Sequence, residues 1–244
     1  MMGYLRLEII RVLRNPRYLV LSLGMPLGFY LLFASIYGGN LGGVGIQAYF
    51  LASMATYGAM GAALNASGTR LAVERATGWT RQLRVTPLKP TAYLATKVVA
   101  ALALALPAVV LVVLAGVFVN HVAMSAATMA RVVLASWLGC LPFAALGIFI
   151  GYVLDSDSAQ SGTMIVYLGL ALLGGMWVPI EVMPAALRAV APVLPSYHFE
   201  RLSLDALAGR GASASHLLVL LAYTLVFGAL AIWRFRRDEA REYA

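Results

Sequence analysis

Between Val98 and Val119 the chain carries no charged or hydrogen-bonding side chain. That run constrains the fold more than any other feature, because ~20 consecutive apolar residues are what an α-helix needs to cross the hydrocarbon core of a bilayer. Six segments read this way: Tyr18 to Tyr37, Ile46 to Ala66, Leu94 to Val119, Val132 to Leu154, Gly162 to Val178 and Leu217 to Trp233. None has a charged residue in its middle. Across the 244 residues 61% are hydrophobic and 11% charged, against roughly a quarter charged in soluble domains. A water-soluble fold of this length would lack the polar surface to stay dispersed. The expectation is a single all-α integral membrane domain with six transmembrane helices. The first run is longer than the ~7–15 apolar residues of a signal peptide and has no small-x-small cleavage site after it, so it is read as a retained span.

A net charge of +8 can indicate nucleic-acid binding. In a membrane chain the placement of the basic residues says more, because Lys and Arg stay on the cytoplasmic side. Of the 18 Lys and Arg, one group precedes the first span: Arg6, Arg11, Arg14 and Arg17. A second lies between spans two and three: Arg70, Arg75, Arg81, Arg84, Lys89 and Lys97. A third forms the tail: Arg234, Arg236, Arg237 and Arg241. Only Arg131, Arg188, Arg201 and Arg210 fall on the opposite side. Both termini and the central basic loop are therefore expected in the cytoplasm, the basic residues act as topology signals, and no nucleic-acid partner is expected.

The ends of the spans add detail. Residues 3–15 alternate Tyr4, Leu5, Leu7, Ile9 and Ile10 with Arg6, Glu8 and Arg11, a pattern for an interfacial helix among membrane lipid headgroups; a plain cytoplasmic leader is the alternative. Residues 179–200 contain Pro179, Pro184, Pro192 and Pro195 beside Ile180, Val182, Met183 and Leu187. They are too broken to cross and too apolar for an ordinary loop. The expectation is an extracellular re-entrant helical hairpin, sheltered by protein, or else an amphipathic loop on the membrane surface. Gly24-x-x-x-Gly28 and Gly147-x-x-x-Gly151 would allow close helix packing. Pro26, Pro107 and Pro142 are candidate kinks.

Catalytic chemistry is missing. No span holds a nucleophile–base pair or a metal-ligand set, and none holds the midplane ionisable group on which coupling ions bind. His121, His198 and His216 are scattered, Cys140 is a lone thiol in an apolar run, and Asp155 and Asp157 suit a helix N-cap. Neither Lys89 nor Lys97 completes a phosphate-binding G-x-x-x-x-G-K-[ST] loop, so no enzymatic activity and no ATP hydrolysis are expected of this chain alone.

What remains is the basic stretch "GTRLAVERATGWTRQLRVTPL", residues 68 to 88. Leu71, Val73, Trp79, Leu83 and Val85 alternate with Arg70, Glu74, Arg75, Arg81 and Arg84. This suits one or two surface helices bent at Gly78 and ended before Pro87. Such a helix can rest on lipid or enter a groove on a cytoplasmic partner.

The run "RQLRVTPLKPTAYLATK", preceded by Glu74, Arg75 and Gly78, and the stretch "GGMWVPIEVMPAALRAVAPVLPSYHF" from Gly174 to Phe199 together resemble the ABC-2 type permease family, the membrane subunits of bacterial ABC exporters. The likeness extends over essentially the whole chain and is greatest to drug and antibiotic-resistance permeases of the daunorubicin kind. It implies a bacterial cell-membrane protein assembled as two permease copies, alike or merely similar, with two separate ATP-binding-cassette subunits that bind MgATP. It further implies that residues 70–86 contain the coupling helix, with Glu74, Arg75, Gly78, Trp79 and Arg81 transmitting the ATPase's motion. On the plainer reading these residues anchor the loop to lipid headgroups. Uncharged spans suit a hydrophobic or amphipathic cargo moved by alternating access; the alternatives are a polysaccharide or lipid-linked glycan, or an ATP-independent channel or anchor. Phe29, Tyr57, Met60 and Met176 are as compatible with packing as with a cavity wall.

Overall fold

The computed structural model describes residues 20–41, 44–79, 82 and 90–242. The proposed interfacial helix, the start of the first span and Arg81 lie outside the described residues. A π-type turn, Val20–Gly24, runs into α1, Met25–Ile36. Pro26 sits in its first turn, just past the π-type turn. A small antiparallel hairpin follows, β1 (Asn40–Leu41) with β2 (Val44–Gly45), Asn40 opposite Gly45.

α2, Ile46–Leu64, is the axis of the molecule. Every residue from Tyr49 to Leu64 is buried, against α1 and five later helices. This explains its composition. A helix enclosed by protein gains from close approach, so small and hydroxyl residues serve it better than leucine; Ser53, Thr56, Gly58 and Gly61 lie on its surface. At Gly61 the absence of a side chain makes room for the ring of Tyr167, which would lie 2.6 Å from an added Cβ. Tyr167 stacks on Tyr57 at 4.5 Å and donates to the Tyr57 carbonyl. The helical path does not stop at the end of the apolar run. It continues through a second π-type turn, Asn65–Thr69, into α3, Arg70–Ala76.

α4, Pro90–Phe118, carries Pro107 in its interior. α5 (Ala126–Leu138) and α6 (Leu141–Val153) are two halves of one path joined at Gly139 and Cys140, and Pro142 falls in the first turn of α6. α7, Ser156–Leu173, is capped by Asp155, whose carboxylate accepts from the N–H groups of Asp157 and Ser158. The bond from Ser158 chiefly holds that carboxyl below the usual range. The chain then turns at Gly174 and Gly175 into a proline-punctuated segment: a short turn at Ile180–Val182, α8 (Ala185–Val190), a turn at Ala191–Val193, and α9, Pro195–Leu207. α10, Ala214–Glu242, closes the fold.

Among the described residues three helical paths are long and apolar enough to cross a membrane: Ala92–Phe118, Ala126–Val153 and Ala214–Asp238. Ser22–Ile36 is a shorter apolar helix. α10 leaves Leu218, Leu221, Leu225 and Val226 exposed on one side, the surface a helix presents to lipid. The two glycine pairs part company. Gly147 and Gly151 on α6 press against the Asn65–Thr69 turn, where a Cβ on Gly151 would come 2.6 Å from the Gly68 carbonyl oxygen. A Cβ on Gly28 would meet nothing within 4 Å.

Candidate functional site

α3 is a short helix with a divided surface. Leu71, Ala72 and Glu74 are buried, whereas Val73 is exposed. It ends where the sequence provides a left-handed residue. Gly78 has φ +74, the Thr77 N–H donates to the Val73 carbonyl, and the Gly78 N–H donates to the Arg75 carbonyl. Glycine adopts this conformation without the Cβ clash that penalises other residues. Gly78→Ala should therefore cost about 1–2 kcal/mol locally, read as a roughly 5–30-fold rise in amide exchange over the last turn of α3.

Two of the three charged residues of α3, Glu74 and Arg75, do not point away from the protein. The Glu74 carboxylate is held inside: Oε1 accepts from Lys97 Nζ at 2.6 Å, and Oε2 accepts from the Tyr93 hydroxyl at 2.7 Å. Lys97 is fully buried in α4, with its ammonium 5.4 Å from the centre of the Tyr93 ring. A lysine can sit there because its charge is matched and its donors are directed at a carboxylate and a π face. Arg75 reaches the other way. Its Nη1 donates to the Gly151 carbonyl at 2.8 Å, while Nε and Nη2 donate to the two oxygens of Asp238 on α10, each at 3.1 Å. The planar fork also lies over the Tyr152 ring. This two-oxygen grip is a geometry lysine cannot reproduce.

An apolar cluster fills the space between the two ionic ties. Leu71, Tyr93, Ile148, Tyr152 and Ala231 are buried together, with Leu94, Val98, Phe149 and Phe235 packed around them. α3 is thereby fixed to α4, α6 and α10 at once. Its far end differs. Trp79, just beyond Gly78, is 37% exposed, and no hydrogen bond is formed by its indole among the described contacts. Of the five residues singled out in the sequence, the structure thus turns Glu74 and Arg75 inward, places Gly78 at the bend and leaves Trp79 outward. Arg81 lies outside the described residues.

Several partners were not singled out. Tyr93, Tyr152 and Asp238 carry no local pattern that marks them, and Gly151 was marked only as a helix-packing glycine. Lys97 did leave a signal, since a lysine three residues into an apolar run needs an acid, and Glu74 is the acid nearest to it before the run. Two histidines treated as scattered also meet: His198 Nδ1 lies 2.9 Å from His216 Nδ1. Among the described residues no group of three His, Cys, Asp or Glu is placed to hold a metal ion. The arrangement around α3 ties one short helix to α4 through Glu74 and to α6 and α10 through Arg75.

Residues 42–233 match a family model described as "ABC-2 family transporter protein". The chain is also similar to a protein of Bacillus subtilis (strain 168) named "Putative transport permease YvfS", with 33% identity over 234 residues, which is 96% of this chain and 96% of that one. The family match takes in α2, α3 with the Glu74–Lys97 pair, and the proline-punctuated segment before α10, and the two likenesses show that the chain belongs to the ABC-2 family of transporter proteins.

Proposed function

We propose that this chain is the permease subunit of an ATP-driven exporter, and that the segment from α3 to Arg81 is the handle by which a separate ATP-binding subunit moves it. The observation that carries this reading is the double tie of α3. A push applied at the exposed Trp79 end reaches α4 through Glu74 and Lys97, and α6 and α10 through Arg75, without first deforming a flexible loop. Packed helices held by ion pairs shift as bodies, which is how a displacement at one face becomes an opening at another.

On this reading the chain crosses the membrane six times, α2 and α7 completing the set with α1 and the three long apolar paths. Both termini face the cytoplasm of a bacterial cell. Two ATP-binding subunits hold MgATP, and two permease copies enclose the pathway; the open face of α1 at Gly28 is free to meet the second copy. Residues 179–200 lie on the extracellular side as a re-entrant hairpin. The cargo is a hydrophobic or amphipathic molecule such as a drug, secondary metabolite or lipid, in keeping with the apolar surfaces of the helices, and it is exported by alternating access, in which binding and external work shift the population between two openings.

Affinity purification from native membranes tests this. An ATP-binding subunit is expected to co-purify with the natural chain and to be reduced at least tenfold with a Trp79→Ala, Arg81→Ala variant, equivalent to about 1.4 kcal/mol of lost binding. Co-purification unchanged by the variant would place the motor elsewhere. Recovery of lipid alone would make the segment an anchor.

A further inference from the structure

The buried carboxyl of Glu200 is not explained by anything in the coupling segment. It lies on α9, fully enclosed, where that helix packs against α2. Oε1 is 2.7 Å from Ser53 Oγ and 2.8 Å from the Tyr49 hydroxyl. Oε2 has no hydrogen-bond partner; it faces the Gly175 turn, where a Cβ would come within 2.5 Å of it. One helical turn earlier on the same face, Ser196 Oγ is likewise enclosed without a partner.

Among the described residues no cation forms an ion pair with this carboxyl, and the charge of nearby Arg201 draws it down less than burial raises it. Its neighbour Arg201 is engaged by Glu181 at 2.7 Å and lies over the Tyr197 ring. From α5, Arg131 donates to the Gly209 carbonyl at the far end of α9. From α10, His216 meets His198, and the Tyr223 hydroxyl donates to the Val193 carbonyl. α7 presents Tyr167, which donates to α2. Asp205, further along α9, pairs with Arg210. A carboxylate enclosed without a counter-charge is far costlier than a neutral acid.

Counting protons points the same way. Tyr49 has one hydroxyl proton and two acceptors in reach, Glu200 Oε1 and the Gly175 carbonyl at 3.0 Å. If Glu200 is ionised, its carboxylate takes that proton and the Gly175 carbonyl loses its donor. If Glu200 is neutral, a proton on Oε1 donates to the Tyr49 oxygen, Tyr49 donates to Gly175, and Ser53 still donates to Oε1. The neutral acid satisfies every group around Oε1, and it leaves in Oε2 only an uncharged oxygen without a partner.

We propose that Glu200 is a proton-binding site that fastens the hairpin helix α9 to the central helix α2 when occupied, and releases its proton to water when the two part. The site is independent of the ATPase reading, since it involves neither α3 nor a partner. Burial pushes this carboxyl up to about 7 from its ordinary 4.5, against the pull of Ser53 and Tyr49. Because the folded value is raised, the stabilisation is complete below about pH 4.5 and is lost as pH rises through about 7. An alkaline medium therefore favours the parted state.

Infrared spectra of the full-length chain in lipid nanodiscs, taken across about pH 5 to pH 8.5, test this. A carboxylic-acid carbonyl band is expected at the acid end, titrating away near neutrality and absent from Glu200→Gln. The thermal midpoint of the natural chain should fall over the same range, whereas that of Glu200→Gln, which keeps a neutral hydrogen-bonding side chain, should not. Should Glu200→Gln fail to fold, Tyr49→Phe serves in its place: deleting the hydroxyl that accepts the proton should move the band to higher frequency. A natural chain with no such band above about pH 5, or a band that neither variant removes nor moves, overturns the proposal.

Discussion

Glu74→Ala is expected to destabilise the folded chain by about 3–5 kcal/mol, the range for breaking one side of a buried ion pair. The magnitude follows from where the charge is left. Lys97 is fully buried in α4 and its ammonium donates to Glu74 Oε1 at 2.6 Å; alanine withdraws that carboxylate from a buried charge. The Tyr93 hydroxyl loses its acceptor in the same step. A Glu74→Gln, Lys97→Met double variant removes both charges while keeping volume, so it should recover most of the loss, because two well-packed neutral groups cost little where one unmatched charge costs much. Denaturant titration in detergent micelles, with helicity and Trp fluorescence as probes, separates the two. If the single variant is as stable as the natural chain, the pair is not the tie described here.

Gly151→Val should be the second severe lesion, about 3 kcal/mol or more, at or beyond the upper end for forcing volume into a packed core. A Cβ at residue 151 would lie 2.6 Å from the Gly68 carbonyl oxygen and 3.0 Å from Leu71 Cβ. The first of these is backbone and cannot rotate aside, and the Gly151 carbonyl also accepts the Arg75 guanidinium. Separating α6 from the Asn65–Thr69 turn therefore strains the ionic tie of α3 as well. Gly28→Ala is the control. An added Cβ there meets nothing within 4 Å, and replacing glycine within a helix gains about 0.5–1 kcal/mol. Opposite signs from two glycines of the same spacing motif, measured in the same denaturation assay, would show that contact rather than motif decides the effect.

That contrast also shows what a sequence can disclose. Gly24-x-x-x-Gly28 and Gly147-x-x-x-Gly151 look alike as strings, but only the second has a backbone laid against it. The charge-free runs disclosed helices because apolar length is a local property. Gly78 was legible as a bend for the same reason, since an isolated glycine after a helical stretch is a stop that needs no partner. The continuous path from α2 through the π-type turn into α3 was not legible, because neither proline nor a charge cluster distinguishes residues 65–69 from a loop start. α2 and α7 fall short of the hydropathy of the longer paths; α2 does so because it is shielded by protein rather than by lipid.

The pairings were hidden by distance along the chain. Arg75 meets Asp238 only because α10 returns across α6, and Glu200 meets Tyr49 and Ser53 only because the hairpin folds onto the central helix. In a proline-rich stretch, Glu200 reads as one more solvated acid between Phe199 and Arg201. Its burial appears once α9 is seen to bury Phe199, Leu202 and Ser203 alongside it.

The most direct test of the account is photocrosslinking from position 79 in native membranes. A photoreactive amino acid replacing Trp79 is expected to attach to an ATP-binding subunit, and the same probe replacing Leu218 on the exposed side of α10 is not. Adducts to lipid alone from both positions would mean that the end of the α3 segment rests on the bilayer, and the coupling role assigned to it would be wrong.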